Sequence, residues 1–114
     1  MIALAGEVVV DYSLRLKAEL ARPSTGELAR PSTGGLAGRP VWVAAYCNDV
    51  FGYLPSLRIL QEGGYEGGDM MVYTPLPGPF APSVEKLVVD KVHELVRKAR
   101  SAEDQPRQVG VAVP

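Results

Sequence analysis

Three features of this 114-residue chain predict an α/β fold: an apolar segment at its start, a helix-forming stretch directly behind it, and a β-branched, aromatic run at Val41–Cys47. Strand, helix, strand is the order of a βαβ unit, whose crossover is right-handed in about 98% of cases and whose strands run parallel. Both strands then end on one edge of the sheet, where open α/β sheets bind ligands. An amphipathic helix at 83–100 completes the pattern.

Each element has its own local reason. Residues 2–10 are rich in Ala, Leu and Val and stay apolar on both alternations except at Gly6-Glu7, which predicts a buried strand with a carboxylate at a turn. Asp11 is placed to cap a helix over 11–21, whose interior through Leu20 carries good helix formers and neither Gly nor Pro. The eight-residue unit Glu-Leu-Ala-Arg-Pro-Ser-Thr-Gly then occurs twice, at 19–26 and 27–34, with a worn echo at 35–40. Pro and Gly in every copy stop a helix, and the unit is too short for a solenoid repeat, so 19–40 is expected to be an expanded surface loop. The run 41–47 is the second predicted strand.

Beyond it, residues 48–55 are turn-rich, and Ser56–Glu62 forms a short helix ended by Gly63-Gly64. A loop at 65–69 and a short strand over Met70–Tyr73 follow, then Thr74–Pro82, where four prolines and a glycine forbid regular structure. Ser83 caps the last helix, whose apolar positions Val84, Leu87, Val88, Val92, Leu95, Val96 and Ala99 follow the 3.6-residue period. The rest of the chain, from 105 to 114, is expected to be a tail.

Composition narrows function mainly by exclusion. Twelve basic and thirteen acidic residues leave a formal charge of -1, without the dense positive field a nucleic-acid binder uses. The apolar start meets Glu7 too early for a signal peptide, and no apolar run reaches the ~20 residues of a membrane span. One cysteine, Cys47, excludes an intrachain disulfide and a cysteine-rich zinc site. His93, the single histidine, has no carboxylate or thiol at metal-ligand spacing on its predicted helix and reads as a boundary residue of a packing face. Gly63-Gly64 and Gly67-Gly68 lack the Lys-Ser/Thr pair of a phosphate loop. What remains is Glu7 at one strand end, and Asn48, Asp49 and Tyr53 after the other. On spacing alone, Glu7 reads as a turn residue and Tyr53 as a packing aromatic.

Two segments carry a resemblance. Gly6-Glu7-Val8-Val9-Val10-Asp11-Tyr12-Ser13-Leu14-Arg15-Leu16 is similar to a Gly-Glu segment followed by a helix with a basic residue in the neutral/alkaline ceramidases. Tyr46-Cys47-Asn48-Asp49-Val50-Phe51-Gly52-Tyr53-Leu54-Pro55-Ser56, continuing to Gly64-Tyr65-Glu66, resembles that family's Asn-x4-Tyr element and the Tyr-Glu pair beyond it. The similarity is greatest to the bacterial ceramidase-like branch, and it covers about Leu4–Arg100 apart from the repeat loop.

The resemblance implies that residues 1–104 are the late part of a larger α/β catalytic domain, a fragment of a zinc-dependent amidohydrolase acting on the N-acyl bond of ceramide-like lipids. It implies that Glu7 and Tyr53 are zinc ligands and that Tyr65 is a catalytic residue reaching the amide. Two histidine ligands would come from the upstream part of the domain, and His93, a single residue on the terminal helix, cannot replace them. Alone, the chain is expected to bind zinc poorly and to be inactive. Near Gly78-Pro79-Phe80 the ceramidases proper carry Gly-Pro-His. Relatives of full length are often exported. The alternative is a non-catalytic remnant, or an interaction module that packs on a separate chain.

Overall fold

The computed structural model describes residues 1–20 and 39–103. In chain order these form β1 (Ile2–Ala3), β2 (Glu7–Val8), α1 (Val10–Leu20), β3 (Val43–Ala44), β4 (Tyr53–Leu54), α2 (Leu57–Glu62), a 3-10 turn (Asp69–Tyr73) and α3 (Val84–Glu103). Helices and strands are mixed, as an α/β chain requires. The strands form two parallel pairs, β1 with β3 and β2 with β4, in the registers Ile2↔Val43 and Glu7↔Tyr53.

The expected strand 2–10 is therefore divided into two short strands by a bend at Ala5-Gly6, each with its own partner, and Val10 already belongs to α1. Leu4 N–H donates to Ala44 O at 2.9 Å, Gly6 N–H to Asp49 O at 2.8 Å and Glu7 N–H to Gly52 O at 2.8 Å. Gly6 sits at the change with φ +74°, and a Cβ there would lie 2.7 Å from the Phe51 ring and 2.9 Å from Gly52 O. Only glycine combines that dihedral with that approach. The expected strand 41–47 shortens to Val43–Ala44 because Tyr46 (φ 58°) and Asn48 (φ 67°) turn the backbone out of the extended region.

Helix α1 starts one residue earlier than expected, so Asp11 lies in its first turn and is not its cap. There it accepts hydrogen bonds from Ser56 Oγ (2.5 Å) and Arg58 (2.9 and 3.1 Å), at the helix end where the macrodipole favours an anion. Tyr12, Leu16 and Leu20, one turn apart, are fully buried and form the centre of the core with Val9, Leu54, Val89 and Val92. Tyr12 Oη donates to Pro55 O at 3.1 Å, which ties α1 to the segment entering α2. Helix α2 is capped by Ser56, whose Oγ accepts from Ile59 N–H at 3.2 Å, and closes at Gly63, in line with the sequence. The expected strand at Met70–Tyr73 is instead the 3-10 turn: Met71 N–H bonds Gly68 O and Thr74 N–H bonds Met71 O, so local bonds satisfy a backbone that no strand among the described residues pairs.

Helix α3 runs three residues beyond Arg100, and its buried positions are Val89 and Val92. Leu87 and Leu95, expected to face inward, are 64% and 52% exposed. The apolar arc of α3 is wider than the surface packed on it; its uncovered half lines an open groove with Met1–Ala5. Polar contacts fix the side that does pack: Arg15 bonds Glu85 (2.7 Å), His93 Nε2 contacts Glu19 (2.6 Å), and Glu85 also accepts Leu57 N–H (2.8 Å). Among the described residues no helix is long and apolar enough to cross a membrane. Residues 21–38 of the expected loop, Ala21 of the expected helix and the tail 105–114 lie outside the described residues.

Candidate functional site

The β2–β4 ladder puts Glu7 and Tyr53 side by side. Registered residues of a parallel pair point to the same face, and the next pair, Val8 and Leu54, points to the opposite face, where Leu54 is buried in the core. Glu7 and Tyr53 thus stand together on the face opposite Leu54, both half-buried, with Tyr53 also packed against the margin of the core.

Tyr65 joins them through a turn made of glycine. Gly63 and Gly64, at φ +75° and +78°, reverse the chain after α2, and a Cβ at Gly67 would lie 2.6 Å from Ile59 O, so the returning strand of backbone packs directly on the helix. The reversal sets the Tyr65 ring edge-to-face on Tyr53, with centroids 5.7 Å apart and planes at 76°. Tyr65 itself is 57% exposed, leaving its phenol accessible.

A third tyrosine, Tyr46, is tied by its backbone to the turn that precedes Glu7. Its backbone is held by three bonds between the two turns: Tyr46 N–H to Gly6 O (2.9 Å), Cys47 N–H to Leu4 O (3.0 Å) and Gly6 N–H to Asp49 O (2.8 Å). Tyr46 and Asn48 occupy the left-handed region, which costs a non-glycine residue on the order of 1–2 kcal/mol. Asparagine adopts that region more readily than tyrosine, so the strain is concentrated at Tyr46. Sequence reasoning did not single out this residue; an aromatic at the end of a β-branched run looks like ordinary strand composition, and its turn conformation is a tertiary property.

Burial and Glu7 together set the protonation of the neighbouring phenols. Burial, then the charge and hydrogen bonding of Glu7, raise the Tyr53 phenol above its ordinary value, with further pushes from Glu66 and Tyr65. Hydrogen bonding to Glu7, then burial and the Glu7 charge, raise Tyr46 as well. Both phenols are protonated at neutral pH. A cation bound beside them would reverse that preference, because positive charge favours the phenolate.

Among the described residues no group of three or more His, Cys, Asp and Glu is placed to hold a metal. Of Glu7 and Tyr53, only the Glu7 carboxylate is an ordinary zinc donor type, so the described residues by themselves do not make up a zinc site. His93 is engaged with Glu19 in the α1–α3 interface and is no part of the cluster. Cys47 is half-buried and not a core residue; its thiol points at the carbonyls of Ala44 and Ala45, at 3.6 and 3.5 Å. Asn48 and Asp49 serve the turn: Asn48 supplies a positive φ and Asp49 an acceptor carbonyl. Comparison with family models, curated proteins and solved structures finds no match.

Proposed function

We propose that the chain supplies the Glu7–Tyr53–Tyr65 part of a zinc-dependent amidohydrolase site of the neutral ceramidase type, hydrolysing the N-acyl bond of ceramide-like lipids. The observation that supports this reading is convergence: of the residues singled out by the resemblance, Glu7 and Tyr53 are cross-strand partners, and Tyr65, from the turn after α2, sets its ring against Tyr53. Glu7 and Tyr53 would hold the metal, and the remaining ligands would be the two histidines of the upstream catalytic domain. When bound, zinc lowers the pKa of a coordinated water so that it can attack an amide carbonyl near neutral pH. The accessible Tyr65 phenol donates to the carbonyl oxygen as negative charge develops there.

The same reading makes the chain a partial catalytic domain, inactive alone. The exposed apolar face of α3, with Leu87 and Leu95, is a surface on which the rest of that domain can pack. The second reading, a non-catalytic module docked on another chain, uses the same face but needs no metal.

The test is zinc content and N-acylsphingosine hydrolysis in a protein that joins this chain to the upstream catalytic polypeptide. One zinc per chain, lost in Glu7→Gln, is the expected result. A complete protein that folds, binds no metal and releases no fatty acid would leave the docking reading in its place.

A further inference from the structure

The groove between α3 and residues 1–5 runs along an edge of β1. Its wall on that side consists of consecutive residues, odd and even alike, which is how a strand presents its edge; a strand's face would offer alternate residues only. The other edge of β1 is taken by β3: Ile2 and Leu4 donate to Trp42 O and Ala44 O, so the main-chain N–H and C=O of Ala3, between them, point away from β3. Among the described residues no strand pairs with that second edge. A short parallel pair with one bare edge, beside a helix whose Leu87 and Leu95 are exposed, is an unfinished layer, because parallel sheets are ordinarily paired and covered.

The direction of α3 decides what reaches this edge. Its first turn sits just past the carboxyl end of β4, where Glu85 accepts from Leu57 N–H at 2.8 Å, and its last turn sits beside the residues leading into β3, where Arg39 meets Glu103 at 3.2 Å. Helix α3 therefore runs antiparallel to the strands, as a crossover helix does, and delivers the chain to the amino end of β1, which is level with β3 through the register Ile2↔Val43. Residues 104–108 then separate α3 from Val109-Gly110-Val111-Ala112-Val113. Such a connection has the usual length of a helix-to-strand loop, about 2–6 residues. An unbroken apolar run rich in valine is the composition of a strand buried on both faces. Extended, it covers about 17 Å, against about 18 Å for the stretch of α3 from Leu87 to Ala99 that lines the groove. We propose that residues 109–113, which lie outside the described residues, form a further strand of this sheet, added parallel to β1 along its bare edge and covered by α3. The inference goes beyond the zinc reading and does not rest on it.

The test is amide hydrogen exchange together with interstrand nuclear Overhauser contacts, measured by NMR on the 114-residue chain. Slow exchange is expected at Ala3 and at alternate residues of 109–113, at rates independent of protein concentration, with backbone contacts between 109–113 and residues 1–5. Val111→Asp, which sets a charge in the apolar groove, is expected to release Ala3 to the rate of an open amide while Ile2 and Leu4, bonded to β3, stay protected. Val111→Ile is expected to keep all of them slow. Should Val111→Asp not fold, the wild-type contacts decide. Three results overturn the inference: fast exchange throughout 109–113 without contacts to residues 1–5; Ala3 protection that rises with protein concentration, which gives the edge to a second copy; and Ala3 protection that arises only when the upstream polypeptide is joined, which gives the edge to that partner.

Discussion

Glu7 and Tyr53 are cross-strand partners of the β2–β4 ladder, so the carboxylate and the phenol are held side by side by main-chain register. If the proposed function holds, Glu7→Gln in the protein joined to the upstream catalytic polypeptide is expected to remove zinc. Tyr65→Phe is expected to keep zinc and lower turnover by about 10²–10³-fold, the usual cost of losing one oxyanion donor. Metal analysis beside initial rates separates the two effects. Loss of zinc in Tyr65→Phe would contradict the division of roles.

Gly6 makes that register possible. Gly6→Ala places a Cβ against Phe51 and Gly52 O at a φ that alanine tolerates poorly. We expect a loss of about 2–3 kcal/mol, measured as a lower urea midpoint with unchanged slope. A variant as stable as the wild type would mean that the partner change survives without glycine.

Asp11 gives the fold an acid-sensitive tie. Hydrogen bonds from Arg58 and Ser56, with the Arg58 charge, lower its pKa against the opposing effect of burial. Its folded value lies below its unfolded one, so its contribution is present above the unfolded value, about 3.9, and is lost as pH falls through the folded one. Arg58 is 54% exposed, so the effect is modest. Stability differences between wild type and Asp11→Asn should shrink steadily from pH 6 to pH 2; a constant difference would remove Asp11 from the acid limb.

Tyr12 acts at the other end of the pH scale. Burial, then the Glu85 charge, push its phenol well above the ordinary range. The raised value means stability is complete below the unfolded pKa, about 10, and declines as pH rises beyond it. Tyr12→Phe should cost about 1 kcal/mol at pH 7, from the lost bond to Pro55 O, and should lessen the alkaline decline. Equal alkaline slopes would show that Tyr12 does not drive that decline.

Deleting one repeat unit should change little. Glu19 and Leu20 belong to α1, where Leu20 is buried and Glu19 meets Arg15 and His93, yet removal of 19–26 brings in Glu27-Leu28 at the same place. Stability is expected within about 0.6 kcal/mol of the wild type, the cost of one doubling of loop length. A larger change would show that the second copy carries contacts of its own.

The sequence alone determined whatever depends on short-range chemistry. The helices over α1, α2 and α3 follow from periodicity, from Ser56 and from Gly63, and the α/β order follows from apolar runs around α1. Tertiary structure decided the rest. The switch of partner at Gly6, the 3-10 turn at Asp69–Tyr73 and the burial of Val89 in place of Leu87 each depend on which neighbours are present to pair or pack. Propensity and periodicity carry no information about those neighbours. The site divides the same way: Glu7, Tyr53 and Tyr65 stand out by their flanking motifs, whereas the pairing of Glu7 with Tyr53 and the stacking of Tyr65 on Tyr53 depend on strand register and left-handed turns that bring distant segments into contact.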